Sequence, residues 1–222
     1  MPLPPLLNRL LWFATHRVGF WVFHLGWSYR CAGRRNLPDT GPALLVSNHQ
    51  SFVDPLLLGL CARRPLKYLG RHDLFKHRLF GWWLREFGTF PIDRNLGKEG
   101  LQAVFDRLGH GEAVVVYAEG ERTPDGALLP FKPGIALLAK RADAPIVPCA
   151  IVGAYESWPR HAKRPALAPL FLPRRDGAIA VIFAAPIPAG HYRTWSREAI
   201  LKDLEARVAA AYVEAQRRQR KW

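Results

Sequence analysis

Downstream of Gly33 the chain alternates short apolar runs with longer stretches of helical period. That alternation predicts an α/β layer fold, a mixed, mostly parallel central sheet flanked by helices. Apolar runs at Ala43–Ser47, Leu66–Leu69, Thr89–Ile92, Ala113–Tyr117, Ile146–Val152 and Ala178–Phe183 read as strands. Helical periods occupy Pro55–Ala62, Leu79–Phe87, Lys98–Leu108, Pro133–Arg141 and Arg197–Arg217. Asp54-Pro55 reads as an N-cap followed by a proline at the first helical position, and Lys132-Pro133 sets a second proline at a helix start. The tract 154–176, with Pro159, Pro165, Pro169 and Pro173, reads as a surface loop or lid.

The pattern ahead of Gly33 differs, which divides the chain into a segment over residues 1–32 and an α/β domain over residues 33–222. On a helix, Leu7, Leu11, Ala14, Val18, Trp21 and Leu25 form one stripe, while Arg9, His16, Arg17 and His24 fall on another side. The longest stretch free of formal charge, 18–29, is 12 residues, short of the roughly 20 apolar residues of a helical span. No small-residue cleavage site of the usual kind follows it. The segment is therefore expected to be an amphipathic helix that associates with a membrane surface, where Trp12, Trp21 and Trp27 suit the boundary of headgroup and acyl chain. A helix packing large aromatics into the core accounts for the same residues.

Charge narrows the choice of partner. Lysine and arginine outnumber aspartate and glutamate by 32 to 18, a net charge of +14 that attracts anionic surfaces or ligands. Nucleic acid, anionic lipid, coenzyme A phosphates and an acidic carrier protein all qualify. Cys31, Cys61 and Cys149 are far apart and form no Cys-x-x-Cys, and the eight histidines show no His-Glu-x-x-His spacing. The spacing suggests neither a disulfide framework nor a metal site, and a reducing cytoplasm suits the cysteines.

The chemistry concentrates at Ser47-Asn48-His49-Gln50-Ser51-Phe52-Val53-Asp54, between a predicted strand and a predicted helix. Active sites of α/β folds lie at such ends. Five residues on a continuous helix set side chains about 140° apart, so His49 and Asp54 meet only if a turn folds Asp54 back. An aspartate on one ring nitrogen would leave the other free to take a proton from an alcohol. A helix cap and a hydrogen-bonded turn histidine explain the two residues equally well. No serine lies in Gly-x-Ser-x-Gly, so the pair favours direct attack by a substrate hydroxyl over an acyl-enzyme, with Ser47 and Ser51 unsupported as nucleophiles.

The segment resembles the His-x4-Asp motif of the glycerophosphate and lysophosphatidate acyltransferase family, and three further blocks follow in that family's order. Phe87-Gly88-Thr89-Phe90-Pro91-Ile92-Asp93-Arg94 is similar to the block associated with the glycerol phosphate acceptor. Tyr117-Ala118-Glu119-Gly120-Glu121-Arg122-Thr123 is similar to Phe-Pro-Glu-Gly-Thr-Arg-Ser and is followed by Phe131-Lys132-Pro133-Gly134. Ile146-Val147-Pro148-Cys149-Ala150-Ile151, leading to Gly153, resembles the family's Val-Pro strand. The resemblance implies His49 as general base oriented by Asp54, and an acceptor site drawn from Arg71, Asp93, Arg94, Glu119, Gly120, Arg122 and Lys132. Arg94 and Arg122, each after a predicted strand, can grip a phosphate with paired hydrogen bonds, and Glu119 is positioned to hold an arginine.

The expected activity is transfer of a fatty acyl group from a thioester of coenzyme A or acyl carrier protein to the free hydroxyl of lysophosphatidate or a related lysophospholipid. It needs no cofactor, and its place is the cytoplasmic face of a membrane, peripheral or monotopic. The third block departs from the family at Tyr117, Ala118 and Glu121. The Glu121 carboxylate beside Arg122 would disfavour a phosphate dianion or pair with the arginine, so a zwitterionic or aminated headgroup is the alternative acceptor. A hydrolase of the same thioesters uses the same residues. A basic nucleic-acid-binding domain built on Arg63-Arg64, Arg160 to Arg164 and Arg217 to Lys221 explains the charge but not the motifs, and no nucleic acid is expected as partner.

Overall fold

The computed structural model describes residues 5–92, 97–162, 164–171 and 177–219, with side chains described from Phe13 onward except those of Phe80, Trp83 and Lys98. Helix α1 (Pro5–Trp27) leads into β1 (Arg30–Ala32) and β2 (Ala43–Ser47), followed by α2 (Asp54–Cys61), β3 (Lys67–Arg71), a 3-10 turn at His72–Phe75 and α3 (Arg78–Glu86). Next come β4 (Thr89–Ile92), α4 (Lys98–Gly109), β5 (Ala113–Tyr117), α5 (Gly134–Arg141) and β6 (Ile146–Val152). The chain continues through α6 (Ala154–Ser157) and β7 (Ala180–Phe183) to the long α7 (Arg197–Arg218). The strands form one sheet in the order β1-β7-β6-β2-β5-β3-β4. Every neighbouring pair is parallel except β6 with β7.

Helices cover both faces, so the central strands are buried on both sides and read as unbroken apolar runs. Ala43 and Leu45 of β2 point into a core with α2 and the end of α1, whereas Leu44 and Val46 point into one shared with α4, α5 and α7. Each fully buried leucine or valine there contributes about 1.5–3 kcal/mol relative to exposure. Gly153 closes β6 with φ +85°, where an added Cβ would fall 2.0 Å from the Ala178 carbonyl oxygen, so only glycine fits. The six strands expected from the sequence are present. Strand β3 runs on to Arg71, and β7 begins at Ala180 instead of Ala178. The three-residue β1, parallel to β7, was not expected from the sequence.

Two features of the surface bear on function. The stripe Ala14, Val18, Trp21 and Leu25 of α1 is exposed and faces away from the domain, while Phe20, Phe23 and Trp27 pack onto it. His16 donates to the Ala62 carbonyl at 3.1 Å and His24 to that of Tyr29 at 3.0 Å, so the histidine side is turned inward. No helix among the described residues is long and apolar enough to cross a membrane. The tract after β6 is tied along the end of α1: the amides of Ala168 and Leu170 donate to Gly26 and Leu25, and Trp27 Nε1 donates to Ala166. Lys163, Pro173 and Asp176 of that tract lie outside the described residues.

Candidate active site

The residues after β2 leave the sheet at its C-terminal edge but stay anchored to both neighbouring strands. Asn48 spans to β6, donating to the Ile151 carbonyl at 2.9 Å and accepting from the Ile151 amide at 2.8 Å. The His49 amide donates to Glu119 Oε2 at 2.9 Å, and the His49 carbonyl accepts from Thr123 at 2.9 Å. Gln50 reaches the Gly126 carbonyl and accepts from the Ala154 amide. Ser51 Oγ donates to the Trp158 carbonyl at 2.7 Å. The backbone of the turn is therefore held from three directions, which suits a site that must position a side chain closely.

Within this turn Asp54 folds back on His49. Its Oδ2 lies 2.6 Å from His49 Nδ1 and also accepts from the Gln50 amide at 2.6 Å and the Ser51 amide at 2.8 Å. Asp54 is thus the first residue of α2 with its carboxylate turned toward the preceding turn, and Val53 occupies the capping position. The expected N-cap role is corrected: three donors ahead of the helix outcompete the helix's own amides for that carboxylate. The Asp54 side chain is fully buried and that of His49 is partly exposed, so the carboxylate sets the proton on Nδ1 and leaves Nε2 as the acceptor nitrogen. The imidazole stacks on Tyr117, ring centres 3.9 Å apart and 12° from parallel. Burial pushes the Tyr117 phenol well above its ordinary value, with the Asp54 charge acting the same way. Among the described residues the buried Ser47 Oγ, Asp54 Oδ1 and Tyr117 hydroxyl have no hydrogen-bond partner.

Among the described residues Glu119 pairs with no arginine. It accepts from the amides of His49 and Leu129, at 2.9 and 3.1 Å, because backbone donors of the two loops converge on its buried position. Burial pushes its carboxyl up to about 7 against those two bonds, and the nearby Asp54 charge adds to the rise. Gly120 has φ +72°, and a Cβ there would lie 2.9 Å from Lys132 Cγ, so the lysine stem lies across the glycine. Lys132 pairs with Glu121 at 3.6 Å, which answers what the extra carboxylate does: it meets the lysine, not Arg122. Arg122 is half-buried, and burial first, then the neighbouring Arg160, holds its guanidinium below its ordinary value. Arg71 is exposed and donates through Nε and Nη2 to the two oxygens of Asp73, at 3.0 and 2.6 Å. Asp93 and Arg94 lie outside the described residues.

Sequence reasoning missed Asn48, the stacking role of Tyr117 and the positive charge that Arg160 adds beside Arg122. Strand alternation carries a signal for Tyr117, since its register partner on β2 is Ser47, two residues before the histidine. Arg64, one of the basic residues of the nucleic-acid alternative, donates its guanidinium to the carbonyls of Pro38, Gly41 and Gly111.

A histidine oriented by a buried aspartate, at the C-terminal edge of a mixed α/β sheet with guanidinium groups alongside, defines a site able to take a proton from a hydroxyl near an anion. Residues 28–152 match the model of the family described as Acyltransferase. The chain belongs to that acyltransferase family. It is 31% identical over 131 residues to the chloroplastic 1-acyl-sn-glycerol-3-phosphate acyltransferase BAT2 of Brassica napus, covering 57% of this chain and 38% of the relative. It is 30% identical over 122 residues to the 1-acyl-sn-glycerol-3-phosphate acyltransferase of Bacillus subtilis, covering 54% and 60%. The human beta form is 32% identical over 143 residues, covering 59% and 50%. The matched region thus spans roughly two fifths to three fifths of those relatives. The crystal structure of the 1-acyl-sn-glycerophosphate acyltransferase PlsC from Thermotoga maritima shares the fold, with a TM-score of 0.75 at 20% identity over 97% of this chain and 82% of that one.

Proposed function

We propose that this protein transfers a fatty acyl group from a thioester of coenzyme A or acyl carrier protein to the free hydroxyl of lysophosphatidate. The observation that carries the reading is the 2.6 Å contact between His49 Nδ1 and a buried Asp54 that two backbone amides hold in place. In the reaction, His49 Nε2 takes the proton as the acceptor oxygen attacks the thioester carbonyl. The tetrahedral intermediate then expels the thiolate, which recovers the proton from the imidazolium. Asp54 stabilises that imidazolium and fixes its tautomer. Neither Ser47, buried in the sheet, nor Ser51, donating to Trp158, is suited to act as a nucleophile, which favours direct transfer. The chemistry requires no cofactor beyond the thioester.

Arg122, with Arg160 beside it, supplies the positive field for the acceptor phosphate, and Arg94 is expected to join it. The pairing of Glu121 with Lys132 largely cancels the carboxylate that had favoured an aminated headgroup, so lysophosphatidate comes first. The outward apolar stripe of α1 supports a peripheral position on a membrane surface, where a lipid acceptor resides, and the proposed place is the cytoplasmic face. Incubating the purified chain with a panel of lysolipids and both donor types, with products identified by mass, tests the reading. Phosphatidate is the expected product, and His49→Ala should abolish its formation while keeping the fold. Release of free fatty acid with every acceptor would make the protein a thioesterase instead.

A further inference from the structure

The exposed large apolar side chains are not spread evenly over the protein. Besides α1, they include Leu74 of the 3-10 turn and Leu79 and Trp82 of α3, Leu79 being 75% exposed. A Cβ on Gly70 would lie 3.1 Å from the Phe75 ring, and Gly70 shares a face of β3 with Tyr68, which packs with α2. The 3-10 turn and α3 therefore cover the same face of the sheet as α1 and α2. On the opposite face only Leu137 and Val213 are comparably exposed among the described residues. The turn also starts directly after Arg71, at the sheet edge that carries His49.

Charge is concentrated in the same place. From Arg71 through the end of α3 at Glu86 the chain carries Arg71, Lys76, Arg78 and Arg85 against two acids, Glu86 and Asp73, the latter already bonded to Arg71. Lys76 and Arg78 are exposed and make no ion pair among the described residues. Leu79 and Trp82, three residues apart, share a side of α3, so a short apolar ridge stands beside a row of cations. That arrangement matches a bilayer interface, in which apolar tips enter the acyl boundary and cations meet anionic headgroups.

We propose that the turn and α3 form a second contact with an anionic lipid bilayer, independent of α1, which seats the catalytic edge against the membrane. The proposal rests on the lipid acyltransferase reading for its purpose but not for its test. An α1 contact alone leaves the domain free to pivot about one helix. A second contact beside the site fixes which edge meets the lipid and shortens the path of an acceptor from bilayer to His49.

The experiment is co-sedimentation of the full chain with vesicles of phosphatidylcholine alone and of phosphatidylcholine with phosphatidylglycerol. A basic residue near an anionic leaflet contributes about a factor of five in binding, so Lys76→Gln with Arg78→Gln should weaken binding to the anionic vesicles roughly 25-fold. Arg197→Gln with Lys202→Gln removes the same charge from the opposite layer and should leave binding unchanged. Leu79→Ser with Trp82→Ser should weaken binding to both vesicle types, and all three variants should keep the parent's unfolding midpoint. Parental binding by the α3 variants overturns the proposal, as does an equal loss in the Arg197 and Lys202 control. A dimer by light scattering that Leu79→Ser dissociates would assign the ridge to a second copy of the chain and also overturn it. Turnover of a short-chain, dispersed acceptor is measured in parallel. Vesicle binding that depends on α3 without any acyl transfer sinks the enzymatic reading alone, and acyl transfer with binding indifferent to α3 sinks this proposal alone.

Discussion

Replacing Asp54 by asparagine separates the charge of the carboxylate from its shape. All three bonds to Asp54 converge on one oxygen, Oδ2, from His49 Nδ1 and the amides of Gln50 and Ser51. An asparagine oxygen in that place keeps every donor satisfied and keeps the proton on Nδ1. What disappears is the negative charge opposite the imidazolium formed during transfer. Unit charges about 4 Å apart at an effective dielectric of about 20 attract by about 4 kcal/mol, which corresponds to about a thousandfold in rate. Stability should change little. Each bond loses about 1 kcal/mol on becoming neutral, while relief of a desolvated ion, one of whose oxygens has no partner among the described residues, offsets that loss. Asp54→Ala should differ by destabilising the fold, since it orphans two buried amides at about 1–3 kcal/mol each. Thiol release from an acyl thioester gives kcat and KM, and thermal unfolding gives the stability. Asp54→Asn turning over within tenfold of the parent would refute the role of the charge.

Three other substitutions test the surroundings. Tyr117→Phe removes a buried hydroxyl that has no hydrogen-bond partner among the described residues and keeps the stack on His49; it should raise stability by about 1 kcal/mol with turnover retained, read from a denaturation midpoint. Asn48→Ala breaks both bonds to Ile151 and should cost roughly 3 kcal/mol, measured the same way. Glu119 gives a pH dependence. The folded protein holds its proton up to about pH 7, whereas the unfolded chain releases it near 4.5, so the folded state binds more protons in between and stability falls as pH rises through that window. In Glu119→Gln the difference in unfolding midpoint between pH 5 and pH 8 should shrink relative to the parent, and equal differences would show the carboxyl to be ordinary.

The elements most legible in the sequence are those whose burial is two-sided. Ala43–Ser47, Ala113–Tyr117 and Ile146–Val152 read as strands because helices on both faces demand apolar residues at every position. Strand β1 was hidden because three residues carry no period and its partner is about 150 residues away. For α1 the period located the stripe but not its direction, because helical spacing is the same whether an apolar stripe faces a core or leaves it. At the site, His49 and Asp54 were legible as a pair, but a carboxylate that caps a helix and one that folds back are spelled alike. The backbone partners of Glu119 were hidden for a related reason: its oxygens accept from backbone amides as readily as from a guanidinium, and amides leave no mark in the sequence.

The double tie of Glu119 has a consequence for how relatives of this protein can diverge. One carboxylate joins the amide of His49 to the amide of Leu129, so the turn that carries His49 and Asp54 and the loop that follows β5 are clamped into a single block. Headgroup preference can then drift through outward side chains such as Glu121 and Lys132 without moving the histidine. On the proposed reading, the turn then moves as one piece while the outward side chains beside it stay free to vary.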